Sequence, residues 1–186
     1  ISIAGSHGKT STSSLVAHLL HEGNKDVSAF LGGICLNFGS NYIDGNTYAV
    51  AEADEFDRSF LQLTPNIALV TSVDTDHLDI YGNFEAIQDS FKAFLSQVRT
   101  GGKIILHQNI DQKIKPENHD VLTYEDLRKG LANFLGVRRR FQTAFKSEEY
   151  ILIDDYAHHP REIDAVIQTV RDLYPNKKLT VIIQKC

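Results

Sequence analysis

Gly5-Ser6-His7-Gly8-Lys9-Thr10 is the stretch that decides how this chain is read. It follows a short apolar run, Ile1 to Ala4, and opens onto Thr10 to Leu20, where Leu15, Val16, Leu19 and Leu20 recur at helical spacing. Strand, glycine turn and helix in that order aim backbone N–H groups and the positive end of a helix dipole at one point, which suits a phosphate. Lysine adds a mobile positive charge and threonine a hydroxyl for magnesium. The strict phosphate-loop spacing asks for glycine five positions before Gly8, but Ile3 stands there and the glycine lies three before instead. A bare Gly-Lys-Thr also arises as a mere tight turn; the flanking strand and helix select phosphate binding. Lys9 is read as solvent-facing, serving charge rather than packing.

Outward from this loop the pattern alternates. Gly23 closes the first helix, and Tyr48 to Ala51 and Ile67 to Thr71 are apolar and turn-bounded, as buried strands are. Phe84 to Val98 places Phe84, Ile87, Phe91, Phe94, Leu95 and Val98 on one helical face, and Gly101-Gly102 turns the chain into a strand at Lys103 to Leu106. Further on, the spacing predicts a helix over Asp126 to Leu135, a strand over Tyr150 to Asp154, a helix over Pro160 to Leu173 and a strand over Leu179 to Ile183. Such alternation predicts an α/β fold, a parallel sheet with helices on both faces, whose ligands collect beyond the carboxyl ends of the strands.

Acidic residues follow those strand ends. Glu52, Asp54, Glu55 and Asp57 fall within six residues. Alone they read as a solvated loop, but beside a phosphate loop a hard carboxylate is what holds a nucleotide's magnesium, and Glu52 lies nearest the strand. After the next strand, His77 stands among Asp74, Asp76 and Asp79. Asp154-Asp155-Tyr156-Ala157-His158-His159-Pro160 repeats the arrangement in a second region, where the paired histidines suit a metal site, substrate contacts or a decorated helix start; substrate and nucleotide contacts are the favoured reading. Arg138-Arg139-Arg140, the one basic run, reads by itself as a solvated loop.

Composition narrows the class. A chain of 186 residues, 42% hydrophobic with a formal charge of −5, has enough apolar material for a core and no basic field for tracking nucleic acid. Cys35 and Cys186 lack metal-type spacing and point to no disulfide framework, which fits a reducing cytoplasm. No apolar run is long enough to span a membrane as a helix. The absence of methionine reads as a fragment.

Taken in order, Gly5 through Thr10, Glu52-Ala53-Asp54-Glu55, Asp76-His77-Leu78-Asp79, Gly136 through Phe141 and Asp154 through Pro160 resemble the Mur ligases, and most of all their alanine-adding branch. Ser6 departs from the threonine usual there but keeps the hydroxyl. The resemblance implies an ATP- and Mg2+-dependent ligase joining L-alanine to UDP-N-acetylmuramate through an acyl phosphate. Murein-peptide ligase and folylpolyglutamate-synthetase-like activities are the alternatives, and a non-catalytic nucleotide-binding module is the rival of another class. It further implies nucleotide contacts from Gly5, Ser6, His7, Gly8, Lys9, Thr10, Ser11, Arg140 and Asp155, with Thr10, Glu52 and His77 as metal ligands. Lys9, His77, Arg140 and His158 would be the catalytic set, with Arg140 meeting the γ-phosphate. His158 and His159 would lie near the muramyl carboxylate or the incoming amine. Lys92, fifteen positions after His77, matches a lysine that some family members carbamylate and is read as an ordinary exposed helical lysine.

The family pattern assigns 1–141 to a central ATP-binding domain lacking an internal stretch near Tyr124 and Glu125. It assigns 142–186 to part of a C-terminal, Rossmann-like α/β domain, and it expects an N-terminal uridine-nucleotide-binding domain that is absent here. The 186 residues alone are therefore expected to bind phosphate yet not to ligate, because holding the carboxylate in line with the γ-phosphate is worth about 7 to 11 kcal/mol of barrier. A coupled ligation assay on this polypeptide checks it; robust product formation would refute the division of labour between domains.

Overall fold

The computed structural model describes residues 1–75, 78–107, 110 and 131–183, with Leu78 and Asp79 by their backbone only. The chain divides into two compact units, Ile1–Gly136 and Val137–Cys186, and their division falls five residues before the one read from sequence.

The first unit is built around β1 (Ser2–Ala4), whose three residues are all buried. Successive side chains of a strand point to opposite faces, and here they reach two different cores. Ile3 packs with Ala17 and Leu20 of α1 (Lys9–Glu22) and with Val27, Ala29 and Leu31 of β2 (Val27–Cys35). Ala4 joins Ala68 and Val70 of β5 (Ile67–Val70) and Ile87, Phe91 and Phe94 of α3 (Phe84–Ser96). Helices thus cover both faces. The short α2 (Leu78–Tyr81) leads into α3, which starts where the Asn83 side chain accepts the Ala86 N–H at 2.8 Å, an N-cap that satisfies one orphan donor.

With β3 (Ser40–Ile43), β4 (Tyr48–Glu52) and β6 (Lys103–Leu106), the sheet runs β3-β2-β4-β1-β5-β6. All pairings are parallel except β2 with β3, which closes one edge as an antiparallel strand. The chain leaves β1 toward β2, returns through β4, then crosses to β5 and β6. Strand order therefore reverses at β1, and open α/β sheets bind ligands beyond the carboxyl ends of the strands at such a point.

Sequence periodicity had no purchase on β2, whose interior holds Gly32 and Gly33, or on β3, a polar edge strand. In the second unit, β7 (Gln142–Lys146) pairs antiparallel with β8 (Ile151–Asp154), and α4 (Pro160–Leu173) begins on proline as expected. Ile163, Ile167 and Val170 of α4 line a cavity of ≈ 420 Å³ together with Leu152 and Val181. The strand expected over Leu179 to Ile183 is not formed among the described residues. That segment lies along the cavity without a ladder partner, and a strand requires one. The helix expected over Asp126 to Leu135 falls largely outside the described residues.

Phe60, in a 3-10 turn at Ser59–Gln62, stacks on Phe94 at 5.1 Å and meets Phe91 edge-on at 5.4 Å, and all three rings are buried. Phe94→Ala should lower unfolding free energy by about 3–5 kcal/mol in urea titration. A loss within the surface range of about 0.5 kcal/mol would remove Phe94 from the core.

Candidate functional site

The loop between β1 and α1 needs glycine at both ends. Gly5 has φ 137° and Gly8 φ 80°, and a Cβ on Gly5 would also collide with the Thr71 hydroxyl. The segment after β5 braces this loop. Ser6 N–H donates to Ser72 O at 3.1 Å and His7 N–H to Ser72 Oγ at 3.0 Å. Thr71 Oγ1 donates to His7 O at 2.6 Å, Asp74 N–H to Ser6 Oγ at 2.9 Å, and His7 Nε2 lies 3.5 Å from Asp74. The loop is held from one side by that segment, and the first turn of α1, with Lys9, Thr10 and Ser11, follows directly from it. Gly8 caps that helix without a side-chain bond, and the first turn's N–H groups have no intrahelical acceptor.

Two carboxylates from the end of β4 meet this turn. Glu52 Oε1 accepts the Thr10 hydroxyl at 3.0 Å, and Oε2 accepts Gly32 N–H at 2.9 Å with the buried Ser13 hydroxyl at 3.5 Å. A hydroxyl and a carboxylate at this separation are the hard oxygen donors that magnesium takes. Among the described residues no cluster of three or more acidic, histidine or cysteine side chains stands ready for a metal.

Glu55 was not singled out by sequence, and it is the buried partner of Lys9. Its side chain is 2% exposed, and both carboxylate oxygens lie 2.9 Å from Lys9 Nζ, which also donates to Gly5 O at 2.9 Å. Asp54, exposed, is 3.9 Å away. Burial pushes the Glu55 carboxyl above its usual range, and the ammonium of Lys9 opposes that rise. The reading of Lys9 as solvent-facing is corrected: its side chain is 14% exposed and sits in an ion pair. The cause is the turn after β4, where Tyr81 hydroxyl and Arg58 N–H both donate to Glu55 O and hold the residue inward.

Gly5 through Ser11 and Glu52 are thus brought together in the first unit. His77 and its neighbour Asp76 lie outside the described residues. Lys92 is half exposed on α3, 3.6 Å from Asp89, as a surface lysine would be.

In the second unit the remaining residues gather around Tyr156. The guanidinium of Arg139 lies 5.0 Å and that of Arg140 5.5 Å from its ring centre, and Arg139 is 3.7 Å from Asp154. Asp155 accepts Phe141 N–H at 2.6 Å and Ala157 N–H at 2.7 Å, so its carboxylate ties the loop before β7 to the loop after β8. His158 is exposed, with Nδ1 3.2 Å from Tyr156 O. His159 caps α4, its Nδ1 accepting Arg161 N–H at 3.3 Å, and Glu162 accepts the His158 and His159 N–H groups, each at 3.3 Å.

An open parallel sheet with this loop at its reversal point defines a phosphate-loop α/β fold. The Mur ligase middle domain matches residues 3–153 and the Mur ligase, glutamate ligase domain matches residues 139–185, and the chain belongs to the Mur ligase family. It is 40% identical over 239 positions to UDP-N-acetylmuramate–L-alanine ligase of Flavobacterium psychrophilum, covering 99% of this chain and 53% of that one. The enzyme of the same name from Flavobacterium johnsoniae is 42% identical over 237 positions, with 98% and 53% covered. The chain spans about half the length of the curated relatives it matches. Among solved structures, UDP-N-acetylmuramate–alanine ligase of Thermotoga maritima superposes with a TM-score of 0.80 at 24% identity, over 96% of this chain and 55% of that one. Murein peptide ligase of Psychrobacter arcticus gives 0.62 at 20% identity, over 95% and 55%. Both share the fold.

The Lys9–Glu55 pair generates a pH-dependent prediction. Lys9→Ala strands a buried carboxylate, which should cost about 3 kcal/mol near neutral pH, the low end for a broken buried pair because Lys9 keeps some solvent contact. Without the lysine, Glu55 titrates higher in the folded state than its ordinary value of 4.5. The deficit is therefore small below pH 4.5 and grows as pH rises through the folded value. Lys9→Ala/Glu55→Gln should regain most of it. Urea unfolding at acid and neutral pH checks this; a pH-independent deficit would break the assignment.

Proposed function

We propose that the protein is an ATP- and Mg2+-dependent ligase that joins L-alanine to the carboxylate of UDP-N-acetylmuramate in peptidoglycan precursor synthesis in the cytoplasm. The observation that carries this reading is the match to both Mur ligase domains in chain order, by a chain about 40% identical to relatives named for that reaction. The site has suitable chemistry. A substrate carboxylate attacking the γ-phosphate, with ADP leaving, meets like charge, and Lys9 and Arg140 would offset it and the charge developing in the loose transition state. The resulting acyl phosphate is then attacked by the amino group of L-alanine, releasing phosphate as the amide forms. Thr10 and Glu52, with His77 outside the described residues, would hold magnesium, which would supply positive charge to offset that of the phosphates. Gly5 to Ser11 and Asp155 would contact the nucleotide, and His158 and His159 the muramyl carboxylate or the amine. Among the described residues no helix is long and apolar enough to cross a membrane.

An internal stretch missing near Tyr124 and Glu125, which lie outside the described residues, belongs to the same reading. Support comes from the alignments, which run to 239 positions against 186 residues.

Phosphate release by the intact protein with ATP, MgCl2 and UDP-N-acetylmuramate should depend on L-alanine, and glycine or an L-alanyl tripeptide should serve poorly. Lys9→Ala/Glu55→Gln, which removes the stranded charge along with the lysine, should turn over no ATP. Preference for the tripeptide would replace the assignment with a murein-peptide ligase, and nucleotide binding without amino-acid-dependent release would leave a binding module.

A further inference from the structure

Gly32 lies inside β2, a strand in which glycine is ordinarily a weakness, and it is not among the residues with positive φ, so its backbone does not require glycine. Space requires it. A Cβ built on Gly32 would stand 2.5 Å from Glu52 Oε2, 2.6 Å from Oε1 and 2.7 Å from Cδ. Those three atoms, its nearest neighbours, all belong to one carboxylate. Gly102 differs, since its Cβ would meet Asn66 O and Arg99 O, and so does Gly45, whose Cβ would meet the Val27 and Ser28 backbone. These two glycines serve chain packing.

We infer that Gly32 is a positioning residue for Glu52: by lacking a side chain it leaves the carboxylate its place, and by its N–H it fixes that carboxylate toward Thr10. This rests on the reading of Glu52 as a magnesium ligand. The carboxylate is shared out, Oε1 to the Thr10 hydroxyl at 3.0 Å and Oε2 to Gly32 N–H at 2.9 Å, so α1 and β2 together set its orientation. A methyl group at position 32 occupies the same volume. What it displaces is the free end of a flexible side chain, so the relief is a rotation of Glu52 away from β2, with the backbone unmoved. The fold survives that rotation, whereas the pairing of hydroxyl and carboxylate oxygens does not. The position is therefore one where function and folding separate, unlike Gly45 and Gly102.

The test is calorimetric titration of the intact protein with a nonhydrolysable ATP analogue, in EDTA and in MgCl2, for wild type, Gly32→Ala, Glu52→Ala and the double variant. Gly32→Ala should bind the metal-free analogue within about twofold of wild type and lose about tenfold or more of the affinity that magnesium adds, the usual range when a group orienting a metal ligand is changed. The double variant should lose no more than Glu52→Ala alone, because Gly32 acts through Glu52. If Glu52→Ala loses the magnesium increment and Gly32→Ala keeps it, the role of Gly32 is refuted and the metal site stands. If neither variant changes the increment, the metal-ligand reading itself falls, and the inference with it. Unfolding of Gly32→Ala would also overturn the inference, since it would place the obstruction in the backbone rather than in the carboxylate.

Discussion

Everything in the first unit hangs on a strand of three residues. β1 has parallel partners on both sides, Ser2 facing Ala51 of β4 and Ala68 of β5, and Ile3 facing Glu52 and Leu69. Parallel ladders align the carboxyl ends of neighbours, so this pairing alone brings the loop after Ala4, the acidic turn after Glu52 and the segment from Thr71 to one edge. Alternation within the same three residues commits Ile3 to the α1 core and Ala4 to the α3 core. A one-residue slip would exchange the two faces and carry Glu52 away from Thr10 together.

The turn after β4 shows how two chemically similar carboxylates, three positions apart, acquire different work. Glu52 stays half-buried and takes hydroxyls and an amide, which suits an ion that exchanges ligands. Glu55 is almost sealed and takes an ammonium, a pairing that offsets the cost of burying it. Burial and partner, not residue type, divide the labour.

The alternation of strands and helices was legible because α3 carries a strong 3.6-residue pattern, α1 is bracketed by the glycine loop and Gly23 although its buried face is mostly small and polar, and the strands between them are short apolar runs. The loop and Glu52 were legible because glycine, lysine and threonine between a strand and a helix, and an acid at a strand end, have local meaning. Glu55 was visible only as one of four acids, since nothing local sorts an inward carboxylate from an outward one. Gly32 carried no signal at all: its constraint comes from a side chain twenty positions away on a neighbouring strand. Tyr156, the common neighbour of Arg139 and Arg140, was hidden for the same reason, and the strand expected over Leu179 to Ile183 failed because apolar composition supplies no ladder partner.

Lys9 is usually counted as the positive element of such a loop, but its charge is already matched inside the fold by Glu55, while Glu52 and the exposed Asp54 add further negative charge nearby. Around the loop, Glu52 and Asp54 are thus two carboxylates beside a lysine that a third carboxylate already matches. A nucleotide arriving with its own divalent cation would bring counter-charge to Glu52 that a bare anion does not carry. On the proposed reading, the clasp on the lysine would act as an ionic filter, favouring the complexed nucleotide over the bare one before any contact with the sugar or base is made.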